Sequence, residues 1–285
     1  MMKVDVLCPL YNAENYIYKI VEGIKKQKNI EIGSIIFPVT ESSDNTLEIA
    51  KKVENSIVVE IKKEEFSHSL TREKMVLQYS TSDIIIFLSQ DVVIENENSF
   101  FELAKCIGQN NVIYAFGKQI SKYNNIEKYT RKYNFPNESY IVTKEKIDKM
   151  QIKAFYSSDA FAAYDRLKFI ELGGYDGKKM KVSEDMYYCK KALLNGYATE
   201  YCSKAEVYHS HKLTLKQLYK RYYDIGVFFA ENPEFKNYKS FNSGLNLAFK
   251  IFFDSLIHFD LKVVIMIIPN MIARYFGKRK GEKSL

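Results

Sequence analysis

The first hundred residues carry a repeating rhythm of apolar and polar positions. Residues 3–7 (KVDVL) alternate as a half-buried strand does, a loop marked by Pro9 and Asn12 follows, and Ile17, Ile20, Val21 and Ile24 then recur at helical spacing. The unit repeats. Residues 34–39 (SIIFPV) read as a second strand, 40–46 (TESSDNT) as a polar loop, and Leu47, Ile49, Ala50 and Val53 as one face of a helix. A third strand over 56–61 leads to a helix within 66–79. The fourth strand lies in residues 83–91 (DIIIFLSQD), whose unbroken Ile/Phe/Leu run is the pattern of a strand covered on both faces. This alternation predicts an α/β chain built on a doubly wound sheet, with loops 9–15, 40–46 and 89–93 gathered on one edge.

Beyond that edge the rhythm changes. A helix near 99–107 precedes a strand near 112–120, and a Tyr- and Asn-rich stretch up to residue 140 has no firm assignment. Residues 155–164 (FYSSDAFAAY) read as a strand small enough to approach a ligand, and a helix over 166–172 stops at Gly173-Gly174. Ser183 reads as an N-cap, with Glu184 and Asp185 in the first turn of a helix closed by Gly196. Short strands are expected over 199–202 and 206–211, then an amphipathic aromatic helix over 213–229, broken at Asn232-Pro233. Residues 245–276 are the most apolar part of the chain, but charges leave no uncharged run longer than 263–273. Those eleven residues fall short of the about 20 that cross a bilayer. The expected organisation is an α/β unit over 1–235 and, over 236–285, two amphipathic helices with a basic tail. The helices would lie in a membrane interface, or else cover the α/β unit or join two copies as a homodimer.

Composition narrows the class. With 285 residues, 46% apolar and 27% charged, the chain can bury a sizeable core. Its four cysteines form no CxxC pair and the N-terminus lacks the long apolar core of a signal peptide, which points to a reducing, cytosolic setting. The net charge is +7, and residues 262–285 hold six basic side chains against Glu282, so +5 sits in the tail and +2 elsewhere. That distribution argues against a nucleic-acid surface and for local contact with an anionic partner.

Four groups carry candidate chemistry. Asp91, at the exit of the fourth strand, stands where open α/β sheets bind ligands; it suits a hard cation shared with phosphates, or it merely solvates a strand end. His209 and His211 are two apart and would face one side of a strand, as metal or phosphate contacts or as polar edge residues. Glu184 and Asp185 are ionised by a helix N-terminus and could accept a hydroxyl proton, although any helix favours acids there. Arg72 and His68 bring a fixed cation and a titratable ring to a helix start. The absence of GxGxxG, Walker and HExxH patterns removes the dinucleotide, P-loop and zinc-protease readings.

Taken in order, CPLYNAENY, ESSDNT, EEFSHSLTR, FLSQDV, GGYD, SED and VYHSH resemble the inverting nucleotide-sugar glycosyltransferases of family 2, above all the bacterial rhamnosyltransferase-like branch. The resemblance covers about residues 3–235. It implies a GT-A fold, that is, a Rossmann-like, mostly parallel sheet with flanking helices, to which the C-terminal amphipathic helices are added. It implies that Pro9, Tyr11, Asn12, Glu41, Asp44, His68, Arg72, Gln90 and Asp91 serve the donor, and that Asp91 with His211 or His209 holds Mg²⁺ or Mn²⁺. Asp185 would be the general base, with Glu184 its neighbour or substitute. The chain departs from the branch at Val39, Glu41, Ser69, Leu70 and Glu73, all on the donor side. The expected partners are a nucleotide sugar (dTDP-rhamnose first, UDP-hexose as the alternative), a lipid-linked saccharide acceptor, and an anionic membrane surface on the cytoplasmic face. A catalytically silent nucleotide-sugar-binding subunit of a polysaccharide assembly complex is the alternative of a different class.

Overall fold

A computed structural model describes residues 1–239 and 243–284; of the C-terminal segment 236–285, residues 240–242 and 285 lie outside the described residues. The chain runs β1 (Met2–Leu7), α1 (Ile17–Lys25), β2 (Ile30–Thr40), α2 (Thr46–Lys51), β3 (Ser56–Ile61), α3 (His68–Tyr79), β4 (Ile84–Leu88), α4 (Ser99–Ala104), β5 (Val112–Ile120), α5 (Ile126–Asn134), β6 (Tyr140–Val142), α6 (Ile147–Met150), β7 (Phe161–Asp165), α7 (Arg166–Glu171), α8 (Glu184–Leu194), β8 (Ala198–Tyr208), α9 (Leu215–Glu231), α10 (Ser243–Ile257) and α11 (Leu261–Glu282).

These strands form one sheet of order β3-β2-β1-β4-β7-β5-β8-β6. The half from β3 to β4 is parallel, as the alternation of strands and helices predicts. The second half is mixed, because β7 runs antiparallel between β4 and β5, and β6 runs antiparallel to β8. In β4, Ile84, Ile86 and Leu88 enter the core on one face of the sheet while Ile85 and Phe87 enter the core on the other. That two-sided burial is why the run is apolar at every position. The order of the sheet reverses between β1 and β4, so the loops that follow these two strands leave side by side.

One buried charge anchors the opposite end of the sheet. Asp5 of β1 is fully buried and accepts from Ser34 N (2.9 Å), Thr81 N (2.7 Å), Ser82 N (2.9 Å) and the hydroxyls of Ser80 and Ser82 (2.9 Å each). Burial alone would raise its carboxyl, and the hydrogen bonds hold it below the ordinary value instead.

Four local expectations change in the structure. The two short strands after Gly196 are the single β8, whose register against β5 slips between Cys202 and Glu206 and which ends at Tyr208, before the histidines. Only Phe161–Asp165 of the 155–164 run is strand, since a 3-10 turn over Gln151–Phe155 precedes it. Ser183 has φ 63° and its side chain caps nothing, so α8 opens on a backbone turn rather than a serine cap. The unassigned Tyr/Asn stretch holds α5, capped by Asn125, whose side chain accepts from Glu127 N.

The C-terminal helices are docked on the catalytic unit. Tyr129 of α5 packs with Ile251, Val263 and Ile267, its hydroxyl donates to Asp260, and Lys132 Nζ lies 2.7 Å from Asp254. Helix α11 lies against α9 where Gly226 meets Gly281 and Gly277 meets the backbone of Tyr219; a Cβ on Gly281 would collide with the carbonyl oxygen of Tyr223. Only glycine allows these backbones to come so close.

Candidate active site

Asp91 lies three residues past the end of β4, on a turn in which Val92 N donates to Ser89 O (3.1 Å). Reciprocal hydrogen bonds between Val93 and Tyr208 (2.9 and 3.0 Å) fasten this turn to the end of β8. The chain after β8 therefore emerges facing Asp91. His209 Nε2 lies 3.3 Å from Asp91 Oδ1 and His211 Nδ1 lies 3.3 Å from Oδ2. The three ligand atoms fall within 4.8 Å of one another.

The protonation states suit a cation. Burial would raise the Asp91 carboxyl, but the two imidazoles beside it hold it far below the usual carboxylate range. Burial pushes His209 down, against the pull of Asp91, so that imidazole is neutral at neutral pH. Gln119 Oε1 sits 2.9 Å from His209 Nδ1 and also accepts from the Arg131 guanidinium. A carbonyl oxygen can only accept, which assigns the His209 proton to Nδ1 and leaves the Nε2 lone pair facing Asp91. One carboxylate and two imidazoles, clustered with their ligand atoms turned to one point, fit a divalent metal. A cavity of about 340 Å³ opens beside them, lined by Tyr16, Asp91, Lys122, Tyr208, His211 and Lys212 among others.

The donor-side residues are drawn together by the loops that carry them. Gln90 pairs with the Tyr11 backbone in both directions, accepting from Tyr11 N (2.8 Å) and donating to Tyr11 O (3.0 Å). Asn12, at φ 46°, accepts from Ser43 N (2.9 Å), and its own N–H donates to Ser42 Oγ (3.0 Å). Asp44 accepts from Thr46 N (3.0 Å) and Glu14 N (3.2 Å), so its carboxylate opens α2 and braces the first loop. Just after Pro9, Leu10 bridges to Val39. Glu41 accepts from Lys63 N (3.2 Å), which ties its loop to the chain leaving β3. Gln90, Asp44 and Glu41 thus tie together the loops expected to serve the donor, while Tyr11 remains 40% exposed at their rim.

The remaining predicted residues meet in a second, buried cluster. Arg72 of α3 is ion-paired with Glu184, lies 3.5 Å from Asp159 Oδ2 and stacks over Phe87. Glu184 is buried and committed to that guanidinium, so Asp185 alone offers a carboxyl without a cation of its own. Asp185 Oδ1 accepts from Met186 N (2.7 Å) and Oδ2 from Asp159 N (3.3 Å). Burial, then Glu184 and Asp159, raise its carboxyl well above the ordinary value, which makes it a stronger base. His68 stays apart, edge-on to Phe66, and is pushed down to about 4 by burial and then by Arg72.

Asp159, Gln119 and Arg131 are members of the site that the sequence reading leaves out. Asp159 lies within the FYSSDAFAAY segment, where a lone acid among small and aromatic residues was the available signal. Gln119 and Arg131 carry no motif; they reach His209 only through the pairing of β5 with β8 and the placement of α5.

The sheet, with a carboxylate at the β4 exit and another at the start of α8, is of the GT-A kind that the resemblance to glycosyltransferases implies. Residues 5–173 match glycosyl transferase family 2, and the chain belongs to that family. It is 33% identical to the O-antigen chain rhamnosyltransferase WbaN of Salmonella anatum and 31% to RfbN of Salmonella typhimurium, in each case over 99% of this chain and 89% of the relative. Among solved structures it superposes on the mannosyltransferase PcManGT from Pyrobaculum calidifontis, in complex with GDP-Man and Mn²⁺, at a TM-score of 0.58, 13% identity and coverage of 96% of this chain and 87% of that one. TarS of Staphylococcus aureus gives the same TM-score at 19% identity, over 80% of this chain and 39% of that one. These two likenesses show the fold.

Proposed function

We propose that this chain transfers rhamnose from dTDP-rhamnose, with inversion, to a hydroxyl of a lipid-linked precursor of a surface polysaccharide. The carrying observation is the pair of carboxylates in opposite environments, Asp91 clustered with His209 and His211 at the β4 exit and Asp185 without a cation of its own at the start of α8. The names of the Salmonella relatives support the sugar, and the docked loops of Pro9, Tyr11, Asn12, Gln90 and Asp44 support a nucleotide donor.

Asp185 takes the proton of the acceptor hydroxyl as its oxygen bonds to the anomeric carbon. The bond from that carbon to the diphosphate oxygen breaks, and the electron pair leaves with the nucleoside diphosphate. Asp91, His209 and His211 would hold a divalent cation, which neutralises charge on the diphosphate. Two imidazoles beside one carboxylate favour Mn²⁺ over Mg²⁺, which prefers oxygen ligands. Lys122 and Lys212, on the rim of the same cavity, add positive charge for phosphate oxygens.

The test is nucleoside diphosphate release from a panel of nucleotide sugars, with lipid-linked acceptor and Mn²⁺ or Mg²⁺. Release from dTDP-rhamnose is the expected result. Release from UDP-hexose alone would replace the donor, and donor binding without release from any donor would favour a catalytically silent subunit.

The same reading places the chain peripherally on the cytoplasmic face of the membrane. No helix among the described residues is long and apolar enough to cross a bilayer. Yet α10, α11 and the turn between them expose Phe249, Phe253, Ile257, Phe259, Ile265 and Ile268, followed by Arg279, Lys280 and Lys283. An apolar face ending in a basic segment complements an anionic bilayer surface. Replacing Phe253 and Ile265, 60% and 72% exposed, by Glu should weaken co-sedimentation with anionic vesicles roughly a hundredfold at an unchanged melting temperature. Undiminished sedimentation would remove the membrane assignment.

A further inference from the structure

Asp159 has no task in the reaction above, yet it is 3% exposed and occupies the centre of the Arg72 cluster. Its Oδ2 lies 3.5 Å from Arg72 Nη1 and accepts from Tyr175 OH (2.9 Å). Its Oδ1 accepts from Tyr164 OH (2.5 Å) and lies 3.4 Å from Tyr114 OH. The backbone of the same residue joins the cluster too. Its N–H donates to Asp185 Oδ2 at 3.3 Å, and its carbonyl accepts from Arg72 Nη2 at 3.4 Å.

The charge balance is uneven. One guanidinium serves Glu184 and Asp159, with Asp185 beside them, so three carboxyls surround a single cation in a region shielded from water. Like charges that close cannot all be ionised at low cost, and the strain falls on the member without its own cation.

We propose that Asp159 is the positioning residue of the base: its N–H aims Asp185 Oδ2, and its carboxylate, by sharing Arg72 with Glu184, leaves Asp185 facing an excess of negative charge. Asp185 thereby keeps a high affinity for the hydroxyl proton it must accept. Burial pushes the Asp159 carboxyl up to about 6; Arg72, and then the phenols of Tyr164 and Tyr175 that donate to it, favour its anion. This deepens the reaction proposed above and rests on Asp185 being its base.

The groups facing this pair are Arg72 and His68 of α3, Glu184 and Cys189 of α8, Tyr114 of β5, Tyr164 of β7, and Tyr156 and Tyr175 from connecting segments. Burial pushes the phenols and the thiol up, so they stay neutral and Arg72, Glu184, Asp159 and Asp185 dominate the field.

The polar chain extends to the metal-binding cluster. Gln119 donates from Nε2 to Ser158 Oγ (2.7 Å) while its Oε1 faces His209. Residues 158 and 159 are consecutive, so one short segment touches both the partner of a candidate metal ligand and the base.

The experiment is the pH profile of kcat/KM. Asp185 acts only when deprotonated, and a negative neighbour raises the pH at which it loses its proton. Removing that neighbour therefore moves the acid limb to lower pH. Asp159→Asn, which keeps the size and the backbone N–H, should shift the limb down by about one pH unit. The plateau rate should fall several-fold, because the base is weaker, while KM for the donor and the melting temperature stay close to those of the parent.

Tyr175→Phe provides a second test that preserves the ring. It removes one donor from the Asp159 anion, so Asp159 keeps its proton to higher pH and repels Asp185 less; the limb should shift the same way by a smaller amount. A limb that stays in place in both folded variants, or a loss confined to melting temperature, would overturn the proposal. Normal turnover of Asp185→Asn would remove the base reading and this inference together, and is a distinguishable result.

Discussion

Replacing Asp185 by Asn should lower turnover about a thousandfold while leaving donor affinity nearly unchanged. The expectation follows from what that carboxyl touches. Its two oxygens accept only from the backbone N–H groups of Met186 and Asp159, and the one nearby cation is committed to Glu184. An amide there can still accept from Met186 N–H but cannot take a proton, so the loss belongs to the chemical step. Donor affinity should be spared because the loops proposed to hold the nucleotide hydrogen-bond among themselves and with Gln90. The measurement is single-turnover release of nucleoside diphosphate alongside equilibrium binding of dTDP. A variant that turns over normally, or one whose defect lies wholly in binding, would remove Asp185 as the base.

The other large effect is expected at Asp91. Asp91→Ala should abolish high-affinity Mn²⁺ binding in the presence of dTDP and reduce donor turnover by three orders of magnitude or more, an amount excess Mn²⁺ does not restore. The substitution leaves the two imidazoles with no carboxylate to attract the cation or to orient the rings. His211→Ala should retain weaker Mn²⁺ binding, because Asp91 and the buried His209, held by Gln119, remain in place. Paramagnetic resonance of bound Mn²⁺ reads the metal directly, independently of activity. Wild-type turnover in excess EDTA would show that the cluster has another purpose.

The early half of the fold was legible because its signals are local. A strand buried on both faces must be apolar at each position, and 83–91 is; a helix packed on one side must repeat its apolar residues every third or fourth position, and the segments after β1 and β2 do. The second half was less legible for an equally physical reason. Strands β6 and β7 run antiparallel to neighbours far away in the chain, and their lengths depend on those neighbours rather than on their own composition. The slip in β8 merged two expected strands and placed the histidines beyond the strand, so their shared orientation comes from the Val93–Tyr208 bridge instead of strand alternation.

For the site, residue type and position along the chain nominated Asp91, His209, His211, Asp185, Glu184 and Arg72, each with a bland alternative, and it was the family resemblance that drew them into one set. Carboxylates at strand exits and helix starts, and histidines two apart, are chemical statements that survive without coordinates. Which member does what was decided in three dimensions. Only packing shows that Glu184 is tied to Arg72, that Asp185 therefore stands without a cation, that Gln90 braces Tyr11, and that Asp159 fills the middle of the cluster. A side chain's charge state and task depend on what surrounds it in space, and those neighbours, such as Arg72 and Glu184 at 112 positions apart, are brought together by the sheet rather than by the local sequence.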